Sequence, residues 1–203
     1  RDALAAIGRQ TVLLVDGLAY GAFPEALCAA IASPIVALVH HPLALESGLP
    51  PAAALALKAS ETVALGHART VIVTSPMTAR ILAGDYAVPA TKIVIAEPGT
   101  TRAIRATGSR GAAVELLAVG AVSPRKGYDV LIAALRQLQE HDWHLTIAGA
   151  TDRAPATTVE LRAAIARAGL GNRVTLAGAV DDARLDALYA AADLFVLPSL
   201  FEG

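Results

Sequence analysis

The chain reads as an α/β protein built from parallel, doubly wound sheets. Three observations lead there. Eight short runs rich in Val, Ile and Leu recur along 203 residues, the segments between them carry apolar residues at spacings of three and four, and this rhythm breaks once, at residues 98–112. Continuous apolar runs of about 4–6 residues are what strands covered on both faces require. Alternation of such strands with amphipathic helices, joined by right-handed crossovers, supplies that cover.

In chain order the first half offers TVLLVD (11–16), PIVALVH (34–40), TVIVTS (70–75) and KIVIAEP (92–98) as strands. Ser75 ends the third run and precedes Pro76, which is a helix start signal as well as a strand-end position open to a ligand. The second half offers ELLAVG (115–120), HLTIAG (144–149), RVTLAG (173–178) and LFVLPS (194–199). Between them, Tyr128, Leu131, Ile132, Leu135 and Leu138 form one helical stripe, and Leu161, Ile165 and Leu170 another. The break itself, PGTTRAIRATGSRGA (98–112), has turn formers and three arginines but no apolar period, so it reads as a linker between domains at 1–105 and 113–203. The sequence begins without methionine and stops at Phe201-Glu202-Gly203 directly after an apolar run, so both domains are expected to be incomplete.

An apolar fraction of 55% is ample for a buried core. Lys and Arg total 17 against 18 for Asp and Glu, so no general field attracts nucleic acid and any anion recognition must be local. Cys28 is the single cysteine, which rules out an internal disulfide and a cysteine metal cluster and suits a reducing cytoplasm. Within EALCAAIA it reads as core filler. No apolar run approaches the ~18 residues of a membrane span, leaving peripheral association at the inner membrane face as the open alternative to a free cytoplasmic protein.

Local anion recognition has one obvious candidate. Residues 120–135, GAVSPRKGYDVLIAAL, follow a strand with Gly120, a turn holding Arg125 and Lys126, and then a helix expected from about Gly127. Ligands of open α/β sheets sit beyond the carboxyl ends of the strands, where a helix N-terminus and two cations suit a diphosphate. Neither the P-loop nor the dinucleotide glycine fingerprint is present, and two solvated helix-start cations are an equally good reading of the turn alone. LFVLPSLFEG (194–203) adds Glu202 at the same end of the same half. A carboxylate cannot serve a phosphate, but it accepts hydrogen bonds from sugar hydroxyls. Cations plus a hydroxyl acceptor suggest a sugar nucleotide.

In the first half, VHHPLALESG puts His40 and His41 at a strand end before Pro42. Adjacent strand residues face opposite ways, so the two imidazoles do not readily share a metal. Glu46 reads either as an acceptor-binding acid, as a solvated one, or as a cap for the helix after Pro50 and Pro51.

These stretches, LLAVGAVSPRKGYDVLIAAL, WHLTIAGA, NRVTLAGAVDDARLDALYAAADLFVLPSLFEG, LVHHPLALESG and TVIVTSPMTARIL, resemble the retaining glycosyltransferases of family 4, whose GT-B fold has two Rossmann-like domains. The resemblance implies an acceptor-side first domain and a donor-nucleotide second domain. It implies that Lys126 contacts the donor diphosphate, helped by Gly120 and Arg125, although the family's arginine directly after that glycine is Ala121 here. Glu202 matches the first glutamate of the family's E-x7-E pair, which contacts sugar hydroxyls, in a Pro-Ser-x-x-Glu-Gly motif that includes Ser199. Gly149, Gly178 and Val180 match the strand-end loops beside the nucleotide. His40 is expected to hydrogen-bond the donor sugar or its developing charge, and His41, Glu46 and Ser75 are acceptor-side candidates. The implied activity is metal-independent hexosyl transfer, with retention, from a nucleotide-diphosphate sugar to a hydroxyl of a lipid, glycan or metabolite, with no cofactor and with the fragment itself expected to be inactive. A sugar-nucleotide epimerase of the same fold and a non-catalytic sugar-nucleotide or carbohydrate binding module are the alternatives.

Overall fold

The structure, a computed structural model, describes residues 7–46 and 48–202. Ser47 and Gly203, which fall within two of the quoted stretches, lie outside the described residues. The chain divides into two compact units, Arg1–Thr100 and Thr101–Glu202.

In the first unit the order is β1 (Leu13–Asp16), α1 (Gly17–Tyr20), α2 (Glu25–Ala30), β2 (Ile35–Val39), α3 (Pro51–His67), β3 (Thr70–Val73), α4 (Pro76–Asp85) and β4 (Ile93–Ile95). The four strands pair in sequence order, every neighbour parallel. Val39, Val71 and Val73 are among the side chains buried between sheet and helices, with Tyr20, Leu65, Leu82 and Cys28 packed against them. The cysteine is thus the core filler its neighbours suggested. Burying a Leu or Val in this way contributes roughly 1.5–3 kcal/mol each.

The second unit runs β5 (Val114–Val119), α5 (Tyr128–Leu135), β6 (Trp143–Ala148), α6 (Pro155–Arg167), β7 (Val174–Gly178), α7 (Asp182–Ala191) and β8 (Leu194–Phe195). Its strand order is β7-β6-β5-β8, again all parallel. The winding therefore goes outward from β5 to β7 and returns to place β8 on the other side of β5. That reversal is a topological switch point, the place beyond the strand ends where open α/β sheets take their ligands.

All eight apolar runs contain a strand, and both units are parallel Rossmann-like sheets, as the sequence predicts. After β3, β4 and β8 the last residues of the run leave the ladder to form the turns at the carboxyl edge, whereas β1 and β7 keep the final residue of their runs, Asp16 and Gly178, paired. Two helical expectations are corrected. Leu170 does not share a helix with Leu161 and Ile165, since α6 ends at Arg167, and it is buried just past the turn that follows. Leu138 leaves the stripe formed by the buried Tyr128, Leu131, Ile132 and Leu135, because α5 ends at Leu135 in a short 3-10 turn (Arg136–Leu138) that exposes its side chain. Its carbonyl instead accepts the indole N–H of Trp143 at 2.9 Å. Among the described residues no helix is long and apolar enough to cross a membrane.

Candidate functional site

Three glycines stand side by side at the carboxyl edge of the second sheet. Gly120 follows β5, Gly149 follows β6 and Gly178 ends β7, and all three have positive φ (153°, 155° and 72°). Main-chain bonds tie them together, from Gly120 N–H to the Ala148 carbonyl and from Gly149 N–H to the Gly178 carbonyl, each at 2.8 Å. A Cβ on Gly149 would lie 2.1 Å from the Gly120 oxygen, so only glycine fits. A Cβ on Gly120 would lie 2.8 Å from Cε of Lys126, whose stem therefore runs directly over the bare backbone. Val180, half-buried, follows this row just before Asp181 caps α7 by accepting the Arg184 N–H at 2.8 Å.

The charged turn has a different local form from the one expected. Pro124–Lys126 make a 3-10 turn, Gly127 adopts a left-handed conformation (φ 61°, ψ 27°), and only then does α5 begin at Tyr128. The left-handed residue reverses the chain between the two helical pieces, which any L side chain would resist. It also permits contact, because a Cβ there would lie 2.3 Å from the Pro198 carbonyl oxygen.

This turn is sewn to the segment after β8. Leu200 N–H donates to the Arg125 carbonyl at 2.9 Å, and Arg125 Nη1 donates to the Phe201 carbonyl at 2.7 Å. The same guanidinium nitrogen reaches Glu202 Oε2 at 2.9 Å, while Lys126 Nζ donates to Glu202 Oε1 at 2.6 Å. Both carboxylate oxygens thus carry a charge-assisted bond. Burial by itself pushes the Glu202 carboxyl up, but the hydrogen bonds from Lys126, Ser199 and Arg125 and the lysine charge prevail and hold it at about 2. Ser199 Oγ is buried and makes no hydrogen bond of normal geometry, so its effect on the acid is exerted from farther away than the direct bonds of Lys126 and Arg125. The Tyr128 hydroxyl donates to the Gly120 carbonyl at 2.9 Å, and burial followed by the Glu202 charge raises it to about 12.

The sequence placed Arg125, Lys126, Ser199 and Glu202 at one end of one half, and the structure brings all four together with Gly120. Tyr128 was legible only as a core residue of α5. Its hydroxyl, which fixes the Gly120 carbonyl, carries no sequence signal beyond a polar tip at the first position of a helix.

In the first unit the strand-end residues form separate pairs. His40 follows β2, its Nε2 lies 3.4 Å from Asp16 Oδ2 at the end of β1, and its carbonyl accepts the hydroxyls of Thr74 and Thr78. Asp16 also accepts the Leu18 N–H at 2.9 Å as the cap of α1. His41 Nε2 lies 2.9 Å from Glu46 Oε2. The two imidazoles thus face different acids. Glu46 does not cap α3, which starts at Pro51 after Pro50 with no side-chain cap. Ser75 does act as a cap, with Oγ accepting the Thr78 N–H at 3.1 Å. The relation of Asp16 to His40 carries no sequence signal, because it depends on β1 and β2 being neighbours. Among the described residues no group of three or more His, Cys, Asp or Glu is arranged to hold a metal.

Residues 113–203 match the family model of the glycosyl transferases group 1. Mannosylfructose-phosphate synthase of Agrobacterium fabrum is 33% identical over 151 residues, covering 65% of this chain and 33% of its own length. Among solved structures, sucrose-phosphate synthase from Thermosynechococcus elongatus superposes with a TM-score of 0.77 at 23% identity, over 94% of this chain and 51% of its own. Anabaena HepE in complex with UDP superposes with a TM-score of 0.68 at 20% identity, over 93% and 53%. The chain therefore spans a third of that curated relative and about half of those solved chains. It is related to the group 1 glycosyl transferases, and its two parallel-sheet Rossmann-like domains are those of the GT-B fold class.

Proposed function

We propose that this chain belongs to an enzyme that transfers a sugar from a nucleotide-diphosphate donor to a hydroxyl acceptor with retention at the anomeric carbon. The observation that carries this reading is the cluster of Arg125, Lys126 and Glu202 at the switch point of the second sheet, beside a floor of bare glycine backbone. The relatives' names, which describe synthases of sugar phosphates and a protein holding UDP, point the same way.

In this reading the donor diphosphate lies against Lys126 and Arg125, over Gly120, with Gly149, Gly178 and Val180 along the nucleotide. Glu202 accepts hydrogen bonds from sugar hydroxyls, and Ser199 orients it. The bond from the anomeric carbon to the diphosphate oxygen breaks with its electron pair left on that oxygen. The acceptor oxygen bonds to the same face, and its proton passes to the departing diphosphate oxygen. Charge grows on the diphosphate as this happens, and fixed cations aimed at it stabilise the transition state more than the ground state. No metal is required for that role. His40 serves the donor sugar, and His41, Glu46 and Ser75 are candidates for the acceptor; Ser75 is also spoken for as a helix cap.

Removing one such donor commonly costs about 2.7–4 kcal/mol of barrier. Lys126→Ala is accordingly expected to lower turnover by roughly two orders of magnitude or more in a transfer assay. Unchanged kinetics would remove Lys126 from the reaction. The donor is identified by a thermal-shift panel of nucleotide sugars, since a ligand at about 100 times its Kd adds ~2.7 kcal/mol of apparent stability. NMR of the product decides retention, and turnover without any acceptor would select an epimerase instead.

A further inference from the structure

We propose that Glu202 serves as the site's own counter-anion: a phosphate reaching Arg125 and Lys126 must displace its carboxylate, and the displaced carboxylate then selects phosphates that carry hydroxyls over bare ones. The proposal rests on the donor-binding reading above and adds to it a source of specificity.

The geometry sets up the competition. Glu202 uses both oxygens on the two cations, at 2.6 Å from Lys126 and 2.9 Å from Arg125. Carboxylate and phosphate oxygens seek the same positions around an ammonium and a guanidinium, so the two anions exclude each other there. The acid is ionised through the whole neutral range, because its carboxyl is held at about 2. It does not step aside by taking up a proton.

Where the carboxylate goes after displacement is set by its main chain. Leu200 N–H bonds the Arg125 carbonyl at 2.9 Å and Arg125 bonds the Phe201 carbonyl at 2.7 Å, anchoring the two residues before Glu202 beside the cations. The Glu202 side chain is 39% exposed, so once its two bonds are given up it has solvent to turn into. An anchored backbone with a turning side chain keeps a negative acceptor within reach of whatever is attached to the bound phosphate. A bare pyrophosphate leaves that acceptor unpaired and faces its charge. A sugar diphosphate supplies hydroxyl donors and restores its bonds.

The test is isothermal titration of the chain and of Glu202→Gln with inorganic pyrophosphate, a panel of nucleotide sugars and the matching nucleoside diphosphates, at one fixed ionic strength. The isosteric amide removes the charge and keeps the size. We expect Glu202→Gln to bind pyrophosphate at least roughly tenfold more tightly, and the preference for a sugar nucleotide over its own nucleoside diphosphate to fall by a similar factor. Glu202→Ala should move pyrophosphate in the same direction, which guards against a folding defect in either variant. Pyrophosphate affinity that is unchanged or weaker in both variants overturns the counter-anion proposal while the donor site stands. Failure of pyrophosphate and every nucleotide to bind any of the three proteins, each shown to be folded by its thermal melt, overturns the donor site and this proposal with it.

Discussion

Each unit keeps one glutamate against a loop that leaves its sheet, and the two are held in opposite ways. Glu61 on α3 is 1% exposed, with the Leu43 N–H as the partner of its Oε2 at 2.9 Å. Burial dominates, and although that backbone bond favours the charged form, its carboxyl is pushed up to about 7. Glu202 meets two cations and stays ionised. An acid buried against a single amide stabilises a loop best when neutral. An acid set between two cations keeps a charge that can be exchanged for another. The sheets differ in the same sense: the described strands of the first run in sequence order, whereas the second reverses at β5 and places its charged cluster at that reversal.

The sharpest way to break this contrast is through the glycine floor. Gly149→Ala sets a methyl 2.1 Å from the Gly120 oxygen at φ +155°, and the expected loss is at least ~3 kcal/mol, read by chemical denaturation. A stability within error of wild type would mean that the close approach of β5 and β6 is not fixed.

Next comes Glu61. Because its folded-state pKa is raised, from 4.5 to about 7, its contribution is fully present below the unfolded value and lost as pH rises through about 7. The wild-type chain should therefore lose on the order of 3 kcal/mol between pH 5 and well above 7. Glu61→Gln should flatten that part of the profile, and a profile shared by both proteins would remove Glu61 as its source.

Ser75→Ala removes the α4 cap and should cost about 1 kcal/mol in the same measurement. The smallest effect belongs to Glu202, whose pKa is depressed. Its contribution is present above about 4.5 and lost as pH falls through about 2. Since the side chain is more than a third exposed, screening should keep the difference between wild type and Glu202→Gln under ~1 kcal/mol at neutral pH. A larger difference would make the acid a structural group like Glu61.

Much of this was legible in the sequence because parallel strands announce themselves by continuous apolar runs, and cations after a strand-ending glycine announce a turn. Ser75 before Pro76 named its own cap. What escaped were relations that depend on which strands are neighbours. Asp16 meets His40 because β1 lies beside β2, and Glu61 meets Leu43 because α3 packs over the loop after β2. Gly127 was readable as a helix boundary, but its left-handed form and its contact with Pro198 depend on β8 lying next to β5. Leu138 kept the helical period and still ended outside the core, since local periodicity does not register where a helix stops.

The stretch read as a linker is not uniform, and the difference sets where the chain tolerates change. Asp193 accepts bonds from Ser109 N–H at 3.0 Å, from the Ser109 hydroxyl at 2.7 Å and from Glu115 N–H at 2.9 Å, while Thr107 and Gly108 both donate to the Ala190 carbonyl. Residues 98–106 are exposed and carry no regular structure. Lengthening that upstream piece costs only the slow logarithmic entropy of a longer loop. An insertion within 107–109 would disturb the bonds to the Ala190 carbonyl and the Asp193 carboxylate, so about nine residues of free thread precede a knot.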